Sequence, residues 1–280
     1  MAEFLAALSQ HAFLQQALLA GLLASLACGV MGAYVVVRRI SYLAGAIAHS
    51  VLGGMGLARY LAVTQGWSWL HPLYGAVAAA LAAALVVGLV TLKARQREDA
   101  IIGAIWAVGM AVGVLFIAAT PGYDVELMSY LFGNILMVTP ANLWLMLGLD
   151  LVALAVALVF HNQLLAVCFD EEFARLRGVN ADLYFLLLLV LTALTVVLLS
   201  TVVGIILVIA LLTLPAAIAA NYARRLWQIM ALAVLISMAF TTGGLALSYG
   251  PDLPAGAVII VLAGAAYLLV SAGRWLFRRA

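Results

Sequence analysis

Two titratable side chains lie where water should not reach them. His49 sits inside the apolar run LAGAIAHSVLGG, and Asp150 inside LWLMLGLDLVALAVALV. A charged side chain at the centre of a bilayer costs about 2.5–3.5 kcal/mol on insertion scales, so each should face a helix-bundle interior or a cavity. A neutral imidazole is a good ligand for zinc and related divalent ions, and a carboxylate supplies the oxygen that harder ions want. The two residue types therefore point to passage of a transition-metal cation, with His49 the metal-ligand candidate, or to a proton relay. Each also has a plainer reading. His49 would then be a hydrogen-bonded packing group, and Asp150 a neutral carboxyl bonded to a Thr or Tyr of another helix.

The elements that must carry these residues follow from composition. The 280-residue chain is 68% hydrophobic and 9% charged, whereas soluble domains carry about a quarter charged residues. Apolar runs of roughly twenty residues recur along it, each able to cross a hydrocarbon core of about 30 Å. The runs predict an all-α polytopic membrane protein with spanning helices near 14–37, 40–62, 71–92, 100–119, 141–160, 183–201, 202–220, 226–248 and 255–276. Residues 127–139 are too short to cross easily and are expected to form a short or re-entrant helix, for a total of eight to nine spans. No polar stretch is long enough for a soluble domain, so residues 1–280 read as one membrane domain. The first residues, MAEFLAALSQHAFLQQ, lack the basic region of a secretory signal and are expected to belong to the mature protein. Cys28 and Cys168 form neither a disulfide framework nor a metal motif. Nothing in the chain calls for a nucleic-acid partner.

Basic residues orient the helices. Arg38 and Arg39, Lys93, Arg95 and Arg97, Arg175 and Arg177, Arg224 and Arg225, and Arg274, Arg278 and Arg279 all fall on one side if the amino terminus is outside and the carboxyl terminus inside. Arg59 is the exception, near an outer helix end from which it can snorkel. Asp124, Glu126 and Asp252 then lie outside, where they form a possible cation entrance. Their alternative is that of solvated loop groups.

The run GIILVIALLTLPAAIAANYARR, 204–225, ends unlike a simple span. Proline lacks an N–H donor and clashes with the preceding turn, so Pro215 should bend or end the helix. Ala216, Ala217 and Ala220 can then restart a compact helix, and Arg224 and Arg225 hold its end in water. A segment of small residues emerging on the inner side is suited to docking in the groove of a partner. A kinked spanning helix is the competing reading.

Several motifs in order resemble one family. DEEFARLRGV at 170–179, VGIILVIALLTLPAAIA at 203–219, GGLALSY at 243–249 and DLPAG at 252–256 resemble the membrane subunits of zinc, manganese and iron ABC importers, relatives of the cobalamin and siderophore permeases. In the first half, VVVRRISYLAGAIAHSVLGG at 35–54, EDAIIGAIWAVGMAVGVLF at 98–116 and FGNILMVTPANL at 132–143 are similar to the same family.

The resemblance implies a type II importer fold in a prokaryotic plasma (inner) membrane, as a homodimer or a heterodimer with a related permease. Its expected partners are a cytoplasmic ATPase docked at 215–225 and an extracytoplasmic metal-binding protein. The family pattern also places an Asp four residues before the intramembrane His, and here that position is Gly45. Lys93, the single lysine, is flanked by Leu92 and Ala94, so no phosphate-binding loop is present and ATP hydrolysis would belong to another chain. No tightly bound cofactor is expected, because an ion held too firmly would not leave. The alternative is a proton-coupled secondary transporter using Asp150 and His49 as an intramembrane relay.

Overall fold

The computed structural model describes residues 2–67, 69–93, 98–121, 133, 135–251 and 253–279. Among them the secondary structure is entirely helical. The helices are α1 (Ala2–Gln10), α2 (Ala12–Val37), α3 (Ser41–Thr64), α4 (Pro72–Lys93), α5 (Glu98–Ala119), α6 (Pro140–Val159), α7 (His161–Phe169), α8 (Glu171–Leu176), α9 (Ala181–Val203), α10 (Ile205–Ala219), α11 (Leu226–Tyr249) and α12 (Ala255–Arg279), with a 3₁₀ turn at Ile135–Met137 before α6. Eight of these, α2–α6, α9, α11 and α12, are long and apolar enough to span a bilayer. Most of the 127–139 segment lies outside the described residues.

Two groups of helices are joined through α9. In the first, α3 packs between α4 and α5; in the second, α2 packs against α10 and α11, with α12 behind. α9 touches α4, α3, α2, α6 and α10. Its central place is why its apolar residues run all round rather than along one stripe. Contacts fix the helix directions. Gly32 meets the Leu212 carbonyl and Cys28 donates to the Val208 carbonyl, so α10 runs parallel to α2. Gly29 meets Val234 and Ser25 meets Thr241, so α11 runs antiparallel to it. Arg38, Arg39, Lys93, Arg175, Arg177, Arg224, Arg225 and Arg274 consequently collect at one end of the bundle.

The expectation for 202–220 is corrected in two respects. The helix is only 15 residues long, roughly 22 Å at 1.5 Å per residue, and falls short of a full span. It also runs through Pro215 without ending there, and the chain turns only at 220–222. Neighbouring helices can compensate the backbone group that a proline leaves unpaired inside a bundle, and here Pro215, Ala216 and Ala219 are buried among them. The break comes eleven residues earlier, at Gly204, whose φ of 91° and ψ of 152° only glycine readily adopts.

Candidate functional site

His49 is held between two helices. It lies on α3 with 8% of its surface exposed, and its imidazole stacks on the indole of Trp106 in α5, centroids 4.8 Å apart and planes 18° apart. Its Nδ1 has no hydrogen-bond partner among the described residues. The packing that holds the ring is thus an aromatic stack, with Nδ1 left free of a hydrogen bond from the described residues. Close approach of α3 to α5 is allowed by Gly53 against Gly109 and Gly56 against Gly113. Gly45 takes part in the same contact. A Cβ there would lie 2.8 Å from Trp106 Cζ3 and 3.0 Å from Cη2. The indole thus fills the space an aspartate one turn before His49 would need, and Trp106 is the neighbour that inspection of the sequence did not single out.

Asp150 lies elsewhere. It projects from α6 beside a small cavity that Met146, Ala153, Leu191, Thr195 and Leu199 also line, and His49 is absent from that lining. It is 4% exposed, and its Oδ2 is unpartnered among the described residues. No three His, Cys, Asp or Glu side chains among the described residues converge to hold a metal. Asp124, Glu126 and Asp252, the possible entrance, lie outside the described residues.

At the arginine-bearing end, α7 and α8 project as two short helices. Asp170 caps α8 by accepting from the Phe173 N–H at 2.9 Å. Their outer surface carries large exposed apolar groups: Phe169 is 61%, Phe173 50% and Leu176 86% exposed. A groove of ≈ 660 Å³ runs from His161, Leu165 and Phe169 past Phe173 to Arg224, Arg225 and Trp227. The structure thus brings Asp170 and Phe173 of the 170–179 motif together with the arginines that follow α10. Of the alanines expected to dock, Ala216 is buried, Ala217 half-buried, and only Ala220 exposed.

The α7–α8 unit is anchored on the end of α2. Tyr34 Oη and His161 Nδ1 share a hydrogen bond of 2.8 Å, and the Cys168 thiol reaches the Tyr34 carbonyl at 4.0 Å. Burial pushes that thiol up to about 12, against a smaller opposite pull from Arg38, so it stays protonated. Glu171 pairs with Arg38 and, at 2.7 Å, with Arg175, which bonds Asp182 at 2.5 Å. Burial pushes the Glu171 carboxyl up, but hydrogen bonds from Arg175 and Arg38 outweigh it and hold the group below the usual glutamate range. A carboxyl depressed in the fold stabilises it above the unfolded pKa, about 4.3, and that stabilisation is lost as pH falls through the lower folded value. Glu171→Gln is therefore expected to lose less of its thermal midpoint than the parent chain between neutral and acid pH. Equal losses in detergent melts would remove Glu171 from the acid response.

The sequence profile of the ABC 3 transport family matches residues 10–274. An uncharacterised membrane protein of Synechocystis is 43% identical over 98% of this chain and 95% of its own. A manganese transport system membrane protein of Halalkalibacterium halodurans is 33% identical over 94% and 87%. Among solved structures, PsaBC from Streptococcus pneumoniae in complex with a Fab superposes with a TM-score of 0.84 at 30% identity, covering 96% of this chain and 94% of that one.

Proposed function

Since the chain belongs to the ABC 3 transport family, we propose that it is the permease subunit of an importer for a divalent transition-metal ion of the zinc, manganese and iron group. The arginine-bearing end faces the cytoplasm, following the excess of basic residues there. A separate ATPase docks on it, and an extracytoplasmic metal-binding protein delivers the ion to the opposite end. Two permease chains enclose the pathway. The observation that carries this reading is the groove shared by α7, α8, Arg224, Arg225 and Trp227, a partly apolar, partly cationic surface on a chain without a nucleotide-binding loop.

Alternating access supplies the mechanism. Closure of the ATPase pair would move the α7–α8 face and the adjoining turn after α10, and the helices continuous with them would open the pathway inward. His49 offers the ion one unpartnered nitrogen on each protomer, a weak contact from which it can leave. Asp150 is a second pathway candidate, supported by its buried and unpaired oxygen. Relatives described as manganese transporters support a metal as cargo, and a bare imidazole favours zinc over manganese.

The test is ATP-dependent uptake of zinc, manganese and iron, singly and in competition, by vesicles containing the chain with the ATPase that co-purifies with it. Uptake driven by a proton gradient without ATP would overturn the proposal. Phe173→Asp and Ala220→Trp are each expected to weaken ATPase retention roughly tenfold, the effect of losing about 1.4 kcal/mol at an interface. Retention unchanged in a pull-down at graded ATPase concentrations would move the docking surface elsewhere.

A further inference from the structure

One ion pair joins the docking face to the turn that leads into the helix bearing His49. Glu171 opens α8, and its carboxylate meets the guanidinium of Arg38, the residue capping the C-terminus of α2. Arg38 is steered from a second side, with its guanidinium 5.5 Å from the centre of the Phe185 ring in α9. The next residue, Arg39, has φ of 63°, the one positive value at a non-glycine position among the described residues. An L-residue enters that region at a cost and stays only where its surroundings hold it. Ile40 follows, its N–H bonded back to the Val35 carbonyl at 2.9 Å, and α3 begins at Ser41, eight residues before His49. The turn between α2 and α3 is thus short, strained and gripped at Arg38 by a residue of the docking unit.

The other anchors of that unit do not reach the turn in this way. Tyr34 and His161 join α2 to α7 one helical turn deeper, and Arg175 with Asp182 ties α8 to the start of α9. Arg38 and Glu171 are 23% and 27% exposed, so their pairing adds little to stability by the measure of partly solvated pairs. What it fixes is the position of the turn relative to α8.

We propose that Arg38 and Glu171 are positioning residues for transport: they pass movement of the α7–α8 face to the α2–α3 turn, and through it to α3 and His49, without touching the ion. The inference rests on the reading that the ATPase docks on α7–α8. The decisive quantity is the joint effect of the two residues.

The complex of this chain with its co-purified ATPase, in sealed vesicles, provides the readout as metal ions imported per ATP hydrolysed. Arg38→Gln and Glu171→Gln are each expected to lower that ratio about fivefold, with ATPase still bound and thermal midpoint little changed, as for partly exposed pairs. The double variant is expected to be no worse than either single one, and Arg38→Lys, which keeps the charge, to retain at least half the ratio. Single variants within twofold of the parent, or a double variant whose loss is the product of the two, would overturn the link. Cross-linking from Phe173→Cys to the ATPase tests the docking surface separately. No cross-link with a lowered ratio in the Arg38 and Glu171 variants would refute the docking reading and leave the link standing. A cross-link with an unchanged ratio would do the reverse.

Discussion

Trp106→Leu is expected to cut metal uptake by about 10- to 100-fold, the range seen when a group orienting a liganding histidine is lost. Leucine keeps much of the volume and all of the apolar character of this half-buried position. It has no aromatic face to lie parallel to the imidazole, so the ring of His49 would turn freely about its side-chain torsions. Trp106→Phe restores a stacking surface and should keep most of the uptake. The complementary change is Gly45→Asp. Its Cβ would stand 2.8 Å from the indole, so Trp106 must swing away, and uptake should fall as far as in Trp106→Leu. Combining Gly45→Asp with Trp106→Leu removes that collision and places a carboxylate one turn from His49 on the same helix face. Oxygen and nitrogen donors side by side favour manganese more than nitrogen alone does, so the double variant should recover uptake with its zinc-to-manganese ratio shifted toward manganese. Vesicle uptake under two-metal competition measures both. A Trp106→Leu chain that transports like the parent would show that the stacking is packing alone.

The reach of the sequence is set by the range of the interactions. Helix extents were legible because an apolar run must match the bilayer: 226–248 was expected and Leu226–Tyr249 is found, and 71–92 became Pro72–Lys93. Membership of the ABC 3 transport family was legible because distinct motifs follow one another in order along nearly the whole chain. Arg38, Arg39, Lys93, Arg175, Arg177, Arg224, Arg225 and Arg274, among the described residues, gather at one end because most of them lie at the ends of helices whose lengths could be read. Failures arose where a local rule met tertiary packing. Pro215 was expected to bend or end a helix; α10 does not end there but continues through it, buried among its neighbours, and stops at Ala219. Which of the alanines after Pro215 face out is likewise set by packing: Ala216 is buried, Ala217 half-buried and Ala220 exposed. His49 and Asp150 were correctly placed as buried on membrane depth alone. Their environments were beyond reach, because Trp106 lies 57 positions after His49 and nothing in either segment announces that the two helices touch there. The absent Asp at 45 was visible as an anomaly, and its physical reason, an indole occupying the space, is a three-dimensional fact.

Gly54→Ala and Gly32→Ala should do the reverse of Trp106→Leu and lose the fold before the chemistry. A Cβ at Gly54 would fall closer than 3.0 Å to the Gly75 carbonyl oxygen and 2.5 Å from the Ala79 methyl, and one at Gly32 closer than 3.0 Å to the Leu212 carbonyl oxygen. These obstacles are mostly helix backbone, which cannot rotate away as a side chain can, so α4 must part from α3, or α10 from α2. Helix association in lipid relies on close van der Waals contact, which falls off steeply with separation. Overpacking of this kind costs about 1–3 kcal/mol, and with 1 kcal/mol worth about 2–4 °C in a chain of this class the midpoint should drop by about 2–12 °C. Gly264→Ala, where nothing lies within 4 Å of the added methyl, gains helix propensity and should match or exceed the parent. Melting curves of the three variants in one detergent decide the matter, and equal midpoints would mean that these helix pairs can separate without penalty. Because α3 is pressed on one side by Gly75 of α4 and on the other by Gly109 and Gly113 of α5, His49 has little freedom to shift unless α3 moves as a body. A displacement at the α2–α3 turn that shifts α3 as a body would therefore carry the imidazole with it.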